Sequence, residues 1–107
     1  MRKLDRIKEI YNMENMDEVI SFLLRHKFLI PTLLRLPTYI SKIYKNKIDL
    51  WLEVDTDPES GDQELFVLVK DNLPIDESEK LLYKLCNKFY FKLDRKIIMR
   101  LNISNGF

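Results

Sequence analysis

The chain has 107 residues, which is enough for one hydrophobic core and too few for two ordinary domains. Apolar residues make up 46% and charged residues 33% of the sequence, and the formal net charge is +1; this balance excludes a disordered chain and argues against a strongly basic nucleic-acid module. The single cysteine excludes an intramolecular disulfide and suits a reducing compartment, and charged residues interrupt the longest apolar stretch, so we expect a cytoplasmic protein without a membrane span.

The first 46 residues are predicted to be helical. Apolar residues recur at helical spacing over residues 2–12. Asn15 is a favourable N-cap and predicts a second helix over residues 16–26. Pro31 suits the first turn of a third helix, where its missing N–H is not needed. Pro37 lies six residues further on, where a proline removes a hydrogen bond, so we expect a kink or a break there.

The apolar spacing changes to strict alternation after residue 47. Apolar residues occupy every second position of residues 48–54 and again of residues 65–69, which predicts two strands. Residues 56–63 between them have the composition of a loop. The two strands are therefore expected to form an antiparallel hairpin.

A helix and a further strand complete the prediction. Apolar residues recur at helical spacing over residues 77–90, and alternation over residues 97–103 predicts a third strand. A strand–helix–strand crossover returns this strand parallel to the second, and we place the first strand at the centre, antiparallel to both neighbours. The expected fold is a single α+β domain, residues 1–107. Its helical part (1–46) precedes a β-β-α-β unit (47–104) with a small three-stranded, mainly antiparallel sheet.

Three short motifs resemble a family of small, uncharacterised prokaryotic proteins. The motifs are the run FLIPTLL at residues 28–34, the strand and loop LEVDTDPE at residues 52–59, and the strand ELFV at residues 64–67 followed by Asn72-Leu73. In that family, a helix with an FLIP-leucine motif precedes an LEV-x-TDPE hairpin. The resemblance implies an α+β domain in a prokaryotic cytoplasm and brings no catalytic residues. Residues 89–93 depart from the tryptophan-rich stretch of the family, so no role is carried over to them.

The leading functional hypothesis is a non-enzymatic protein-interaction domain. The apolar residues of the N-terminal helices are more numerous than one small sheet can cover, which favours a homodimer or a dedicated protein partner. Four further apolar residues are predicted on the sheet face opposite the last helix, where either the N-terminal helices or a second subunit must cover them. These four are Trp51, Phe66, Leu68 and Ile98. The predicted interaction surface consists of Phe28, Leu29, Leu33, Leu36, Trp51 and Phe66.

The first alternative is a nucleic-acid-binding protein. Charge is sorted along the chain, with net +5 in residues 1–47, −10 in residues 48–79 and +6 in residues 80–107. Basic residues interleaved with aromatic ones in the last segment suit contact with a phosphate backbone and stacking of bases. The predicted contacts are Lys88, Lys92, Arg95, Lys96 and Arg100.

The second alternative is a metal-dependent enzyme with carboxylates on the hairpin. Glu53, Asp55 and Asp57 stand at alternate positions, and clustered carboxylates suit Mg²⁺ or Ca²⁺. The calcium-loop pattern is not met, because the glycine comes one position late and Phe66 stands where the loop needs a glutamate. The simpler interpretation is a solvated hairpin tip whose acids cap turns.

No residue pattern indicates a catalytic centre or a bound cofactor. His26, the only histidine, lies at a predicted helix end, and the sequence has no nucleophile motif such as G-x-S-x-G to pair with it. Cys86 lies on the apolar stripe of its predicted helix and is expected to act as a small buried hydrophobe. We therefore expect no catalytic residues and no cofactor.

Overall fold

Helices and a mixed sheet form two layers in the computed structural model, which describes residues 2–106. Within these residues the helices are α1 (Arg2–Ile10), α2 (Met16–Arg25), α3 (Ile30–Ile43), α4 (Ile75–Lys88) and α5 (Arg95–Ile98). The strands are β1 (Asn12–Met13), β2 (Asp49–Thr56), β3 (Gln63–Lys70) and β4 (Leu101–Asn105). Short 3₁₀ turns span Lys27–Leu29 and Tyr90–Lys92. The predicted mixture of helices and strands is confirmed.

The sheet has the strand order β1-β2-β3-β4. β2 and β3 are antiparallel, as the predicted hairpin requires, whereas β1 is parallel to β2 and β4 is parallel to β3. The prediction of a three-stranded, mainly antiparallel sheet is therefore wrong. The two-residue β1 takes the edge of β2 at which we had placed the last strand, and β4 pairs with β3 instead.

The last strand begins later than its alternating pattern predicts. Ile97 and Ile98 belong to α5, and β4 starts only at Leu101. Ile97 packs against the core from this helix. The hydroxyl of Tyr90 donates to the carbonyl oxygen of Leu101 at 2.6 Å and ties the turn after α4 to the start of β4. The alternation before residue 101 thus reflects packing of a short helix, and Ile98 is not on the sheet.

One hydrophobic core lies between the helices and one face of the sheet. Every second residue of β2, β3 and β4 is buried in it, together with residues from each of the four longer helices. The fully buried side chains include Ile7, Phe22, Leu33, Leu36, Leu65, Val67, Leu85 and Leu101. Within residues 2–106, no helix is both long and apolar enough to span a lipid bilayer.

Helix α3 runs through Pro37 without a break. A proline at this position leaves the carbonyl of Leu33, one turn back, without its helical N–H donor. The hydroxyl of Tyr11 donates to that carbonyl oxygen at 2.7 Å, and the tyrosine is buried. Burial also raises the pKa of Tyr11, so the phenol keeps the proton that it donates. Of the predicted kink or break, the break is absent, and a side chain 22 residues away supplies the donor that the proline removes.

Candidate functional site

One face of the sheet is left free by the helices. The side chains of β2, β3 and β4 that alternate with the buried ones lie on this face, and its large apolar members are not part of the core. We call this surface the open face. Its residues are Asp49, Trp51, Glu53, Asp55, Glu64, Phe66, Leu68, Lys70, Asn102 and Ser104.

The centre of the open face is apolar. Trp51 is paired with Leu68 across β2 and β3, and Phe66 lies two pairs further along the ladder, opposite Glu53. All three side chains are half-buried, because they shield one another across neighbouring strands. The ammonium of Lys70 lies 4.2 Å from the centre of the Trp51 ring, a cation–π contact. A Cβ at Gly106 would collide with the Lys70 side chain, so the glycine gives that side chain its room.

The charges of the open face are concentrated at one end. Asp55 and Glu64 are directly paired, and Glu53 lies two pairs nearer the centre, opposite Phe66. Lys70 lies at the opposite end of the ladder, paired with Asp49. The face therefore has an acidic end, an apolar centre and a charge-balanced end at which Lys70 is paired with Asp49.

The predicted interaction residues divide between this face and the core. Trp51 and Phe66 lie on the open face, as the alternation indicated, and Leu68 belongs with them. Leu29, Leu33 and Leu36 have no exposed surface and lie in the core, so they are not available to a partner. These helical leucines are used within the chain, because the helices cover one whole face of the sheet.

Phe28 is half-buried beside the core and is partly covered from outside. The ammonium of Lys96 lies 4.4 Å from the centre of its ring, and His26 packs edge-on at 6.0 Å. Phe28 thus offers only a small apolar surface, separate from the open face.

The carboxylates proposed as metal ligands do not converge on one point. Glu53 and Asp55 project from the open face, whereas Asp57 turns into the hairpin loop, where its Oδ1 accepts from the N–H of Glu59 at 2.8 Å. This bond and a second one from the N–H of Ser60 hold the pKa of Asp57 below its usual range. Among residues 2–106, no group of three side chains is placed to hold a metal ion. Of the three carboxylates, Asp57 stabilises the loop itself.

The five predicted phosphate contacts are distributed over several places. Lys88 and Lys92 line a cleft of about 260 Å³ between α3 and the turn after α4, which we call the basic cleft. Arg35 and Tyr39 from α3 line the same cleft, so a third cation joins the two lysines.

The remaining three contacts lie outside the basic cleft. Lys96 covers Phe28, and Arg95 is exposed on α5. Arg100 donates from Nη1 to the carbonyl oxygen of Gln63 at 3.0 Å, which places it beside the hairpin. The sequence therefore predicted two of the cleft residues and missed Arg35, which only the packing of α3 brings there.

His26 and Cys86 are both packed against neighbouring parts of the fold. His26 stacks on Phe22 with ring centres 4.2 Å apart, and its Nδ1 lies 3.0 Å from the carbonyl oxygen of Phe22 at the end of α2. Cys86 is half-buried on α4, and burial raises the pKa of its thiol. A raised thiol pKa leaves little thiolate at neutral pH, which is the opposite of what a nucleophile needs.

Comparison of the chain with protein-family models, with curated proteins and with solved structures finds no match. The resemblance of residues 28–34 and 52–59 to a family of small prokaryotic proteins therefore stays a prediction. Function is therefore inferred from the surfaces of the chain itself.

Proposed function

We propose that the chain is a non-enzymatic protein-interaction domain that pairs with a second copy of itself through the open face. The observation that carries the proposal is the position of Trp51, Phe66 and Leu68, three large apolar side chains on the side of the sheet without helices. A contiguous apolar patch of this kind on a small domain is typical of an interaction site.

The charges of the open face favour one arrangement of two copies. A two-fold axis that runs across the strands reverses the strand direction of the partner, and the acidic end of each copy then meets the Lys70 end of the other. The alternative axis, along the strands, would bring Asp55 and Glu64 of both copies together. Like charges in direct opposition are unfavourable, so the strand-reversed pair is the one we propose.

The size of the face sets the strength of this association. Eight-residue strands are about 27 Å long, and three long strands with their side chains are about 15 Å wide, which gives about 400 Å² per copy. Stable complexes bury about 800 Å² per partner. The proposed dimer is therefore weak, with dissociation in the high micromolar range, and has to be assayed at high concentration.

Sedimentation equilibrium from about 10 µM to about 1 mM tests the proposal, because that range covers the expected dissociation constant. Phe66→Glu places a charge in the apolar centre and should abolish the dimer. Phe91→Glu is the matched control, since Phe91 is 59% exposed on the turn after α4, away from the open face. The proposal fails if the chain remains a monomer throughout this range, or if the two variants associate equally well.

The second candidate function is nucleic-acid binding at the basic cleft. Three cations from two parts of the chain, Arg35, Lys88 and Lys92, line this cleft together with one acid, Asp94. The rings of Tyr39 and Phe89, with centres 4.5 Å apart, line it as well, and cations beside aromatic rings suit a phosphate next to a stacked base. A fluorescent single-stranded oligonucleotide should bind with an affinity that falls steeply with salt. The double variant Lys88→Glu/Lys92→Glu should lose this binding, and Lys3→Glu/Lys8→Glu on α1 should keep it. Absence of binding at low salt would remove this candidate.

A further inference from the structure

The edge of the sheet at β2 is covered over only part of its length. The pairing of β1 with β2 ends at Met13 and Leu52, after which the chain leaves the sheet and enters α2 at Met16. β2 continues for four more residues to Thr56. This part of its edge has no neighbouring strand among residues 2–106.

The hydrogen bonds of β3 show which backbone groups point toward β2. The N–H of Leu65 donates to the carbonyl of Arg100 at 2.8 Å, and the N–H of Gly106 donates to the carbonyl of Val69 at 3.0 Å. The backbone N–H and C=O groups of the odd-numbered residues of β3 therefore point toward β4. Because neighbouring residues of a strand point their N–H and C=O groups to opposite sides, the even-numbered residues of β3 face β2.

It follows that the backbone N–H and C=O groups of the even-numbered residues of β2 point toward the free edge. The odd-numbered residues of β2 are the partners of the even-numbered ones of β3. The Asn12 side-chain amide donates to the carbonyl of Leu50 at 3.2 Å, which independently places an even-numbered residue toward β1. Past the end of β1, the N–H and C=O groups of Val54 and Thr56 point in the same direction. They form a short row of groups suited to pairing with another strand.

A groove of about 450 Å³ lies beside residues 51–54 of β2, where this edge begins, and is bounded on its other side by the start of α2. This volume is in the range of sites that hold small ligands or short peptides. We call it the edge groove. Its lining includes Glu14, Glu18, Trp51, Glu53, Val54, Leu68 and Lys70.

The edge groove is acidic. Glu14, Glu18 and Glu53 line it from three different elements, against the one cation of Lys70, whose ammonium is held over the Trp51 ring. The N-terminus of α2 adds only about half a positive charge, which the three carboxylates outweigh. A second copy of β2 is a poor occupant, because antiparallel pairing would bring Glu53 and Asp55 of both chains close together.

We propose that the edge groove binds an extended segment of another protein that carries lysine or arginine at alternate positions and adds to the sheet beside β2. Backbone hydrogen bonds to Val54 and Thr56 supply the pairing, and the groove carboxylates select the basic side chains. This site shares Trp51, Glu53, Leu68 and Lys70 with the open face, so a bound segment and a second copy would compete for these residues, but binding of the segment does not require self-association. The occupied length, residues 53–56, is about 13 Å and matches a segment of four or five residues.

Titration with two short peptides tests the proposal. The basic probe is acetyl-Lys-Val-Lys-Val-Lys-amide, and the acidic probe has glutamate in place of lysine. The basic peptide should shift the backbone amide resonances of Val54 and Thr56 and slow their hydrogen exchange about tenfold or more at saturation. It should also change the emission of Trp51, the only tryptophan of the chain. Equal binding of the acidic peptide, or unchanged Val54 and Thr56 amides, would overturn the proposal.

Two variants separate the backbone contribution from the charge contribution. Val54→Pro removes an N–H that points to the free edge and leaves the hydrogen bonds between β2 and β3 intact. It should therefore lower the affinity for the basic peptide about tenfold. The double variant Glu18→Gln/Glu53→Gln should lower this affinity by a similar factor. The control variant Glu77→Gln/Glu79→Gln on α4 should leave it unchanged. If Val54→Pro loses its cooperative melt, the two glutamine pairs decide the question, and equal affinities would contradict the proposal.

The peptide titration gives a result whether or not the chain forms the proposed dimer. Phe66→Glu is expected to be monomeric and should still bind the basic peptide, because Phe66 does not line the edge groove. Peptide binding without self-association would therefore reject the proposed dimer and keep the edge site. Self-association without peptide binding would do the reverse.

Discussion

The two faces of the sheet are built from the same strands, and their side chains alternate, yet they have opposite surroundings. On the covered face, Leu65 and Val67 have no exposed surface and contact the helices. On the open face, Phe66 and Leu68 are half-buried by their strand neighbours alone. Burial on the covered face stabilises the fold within one chain. The apolar surface that is left on the other face becomes an advantage only when a partner covers it.

The difference between the two faces is tested most directly by making the same substitution on both faces of β3. Leu65→Ala removes a fully buried side chain and should lower the free energy of unfolding by about 2–5 kcal/mol. Leu68→Ala should lower it by less than about 1 kcal/mol in the monomer, because the side chain is already partly hydrated. Urea denaturation at low protein concentration measures both. Equal losses would mean that the open face contributes to the fold as the covered face does.

A second prediction concerns the helical layer that covers the sheet. Tyr11→Phe leaves the carbonyl of Leu33 without a donor and should cost about 1–3 kcal/mol of unfolding free energy. In a Pro37→Ala background the new amide N–H supplies that donor, so the same substitution should cost much less. The double-mutant cycle measures the difference. Additive effects would show that the tyrosine contributes by packing alone.

A third prediction uses the thiol of Cys86 on α4. Burial raises its pKa, so the thiolate fraction at pH 8 is smaller than that of a free cysteine. Reaction with an aromatic disulfide reagent should be at least about tenfold slower in the folded chain than in urea. A rate equal to that of the unfolded chain would show that the helix side of the molecule is more open than the structure indicates.

The smallest effect is expected at the hairpin loop, which belongs to neither face. Two backbone N–H groups favour the ionised form of Asp57 and hold its pKa below the unfolded value of about 3.9. Its contribution to stability is therefore complete above that value and is lost as the pH falls through the lower pKa of the folded state. Asp57→Asn should lower the melting temperature slightly at pH 7, and the difference from the wild type should vanish near pH 2. Glu59→Gln, in the same loop, is the control, and a difference that persists at low pH would contradict this assignment.

Alternation and helical spacing were enough to predict β2, β3, α4 and the two helices around Asn15 and Leu33. They were not enough for β1, because two residues show no periodicity, and strand order depends on which edge that short strand takes. Asn15 lies at the N-cap of α2 but makes no side-chain capping bond, so the motif marked the position without its usual contact. The local rule for Pro37 was outweighed by a contact from Tyr11, which no local pattern contains.

The candidate sites were predictable to a similar extent. Trp51 and Phe66 were identified because the alternation of one strand fixes which face a residue occupies. The leucines of α3 were assigned to a surface because their count was compared with too small a sheet. The edge groove and the contribution of Arg35 to the basic cleft depend on how distant segments pack, and the sequence pattern contains no signal for either.

The bond between Tyr11 and Leu33 has a consequence for how related sequences change over time. The hydroxyl at position 11 supplies the donor that a proline at position 37 removes, and this hydrogen bond is no longer needed once the proline is replaced. A lineage should therefore acquire tyrosine at 11 before proline at 37 and give them up in the reverse order. Two positions in different parts of the chain, one between α1 and β1 and one inside α3, would then evolve as a linked pair, with the history of one restricting the choices open to the other.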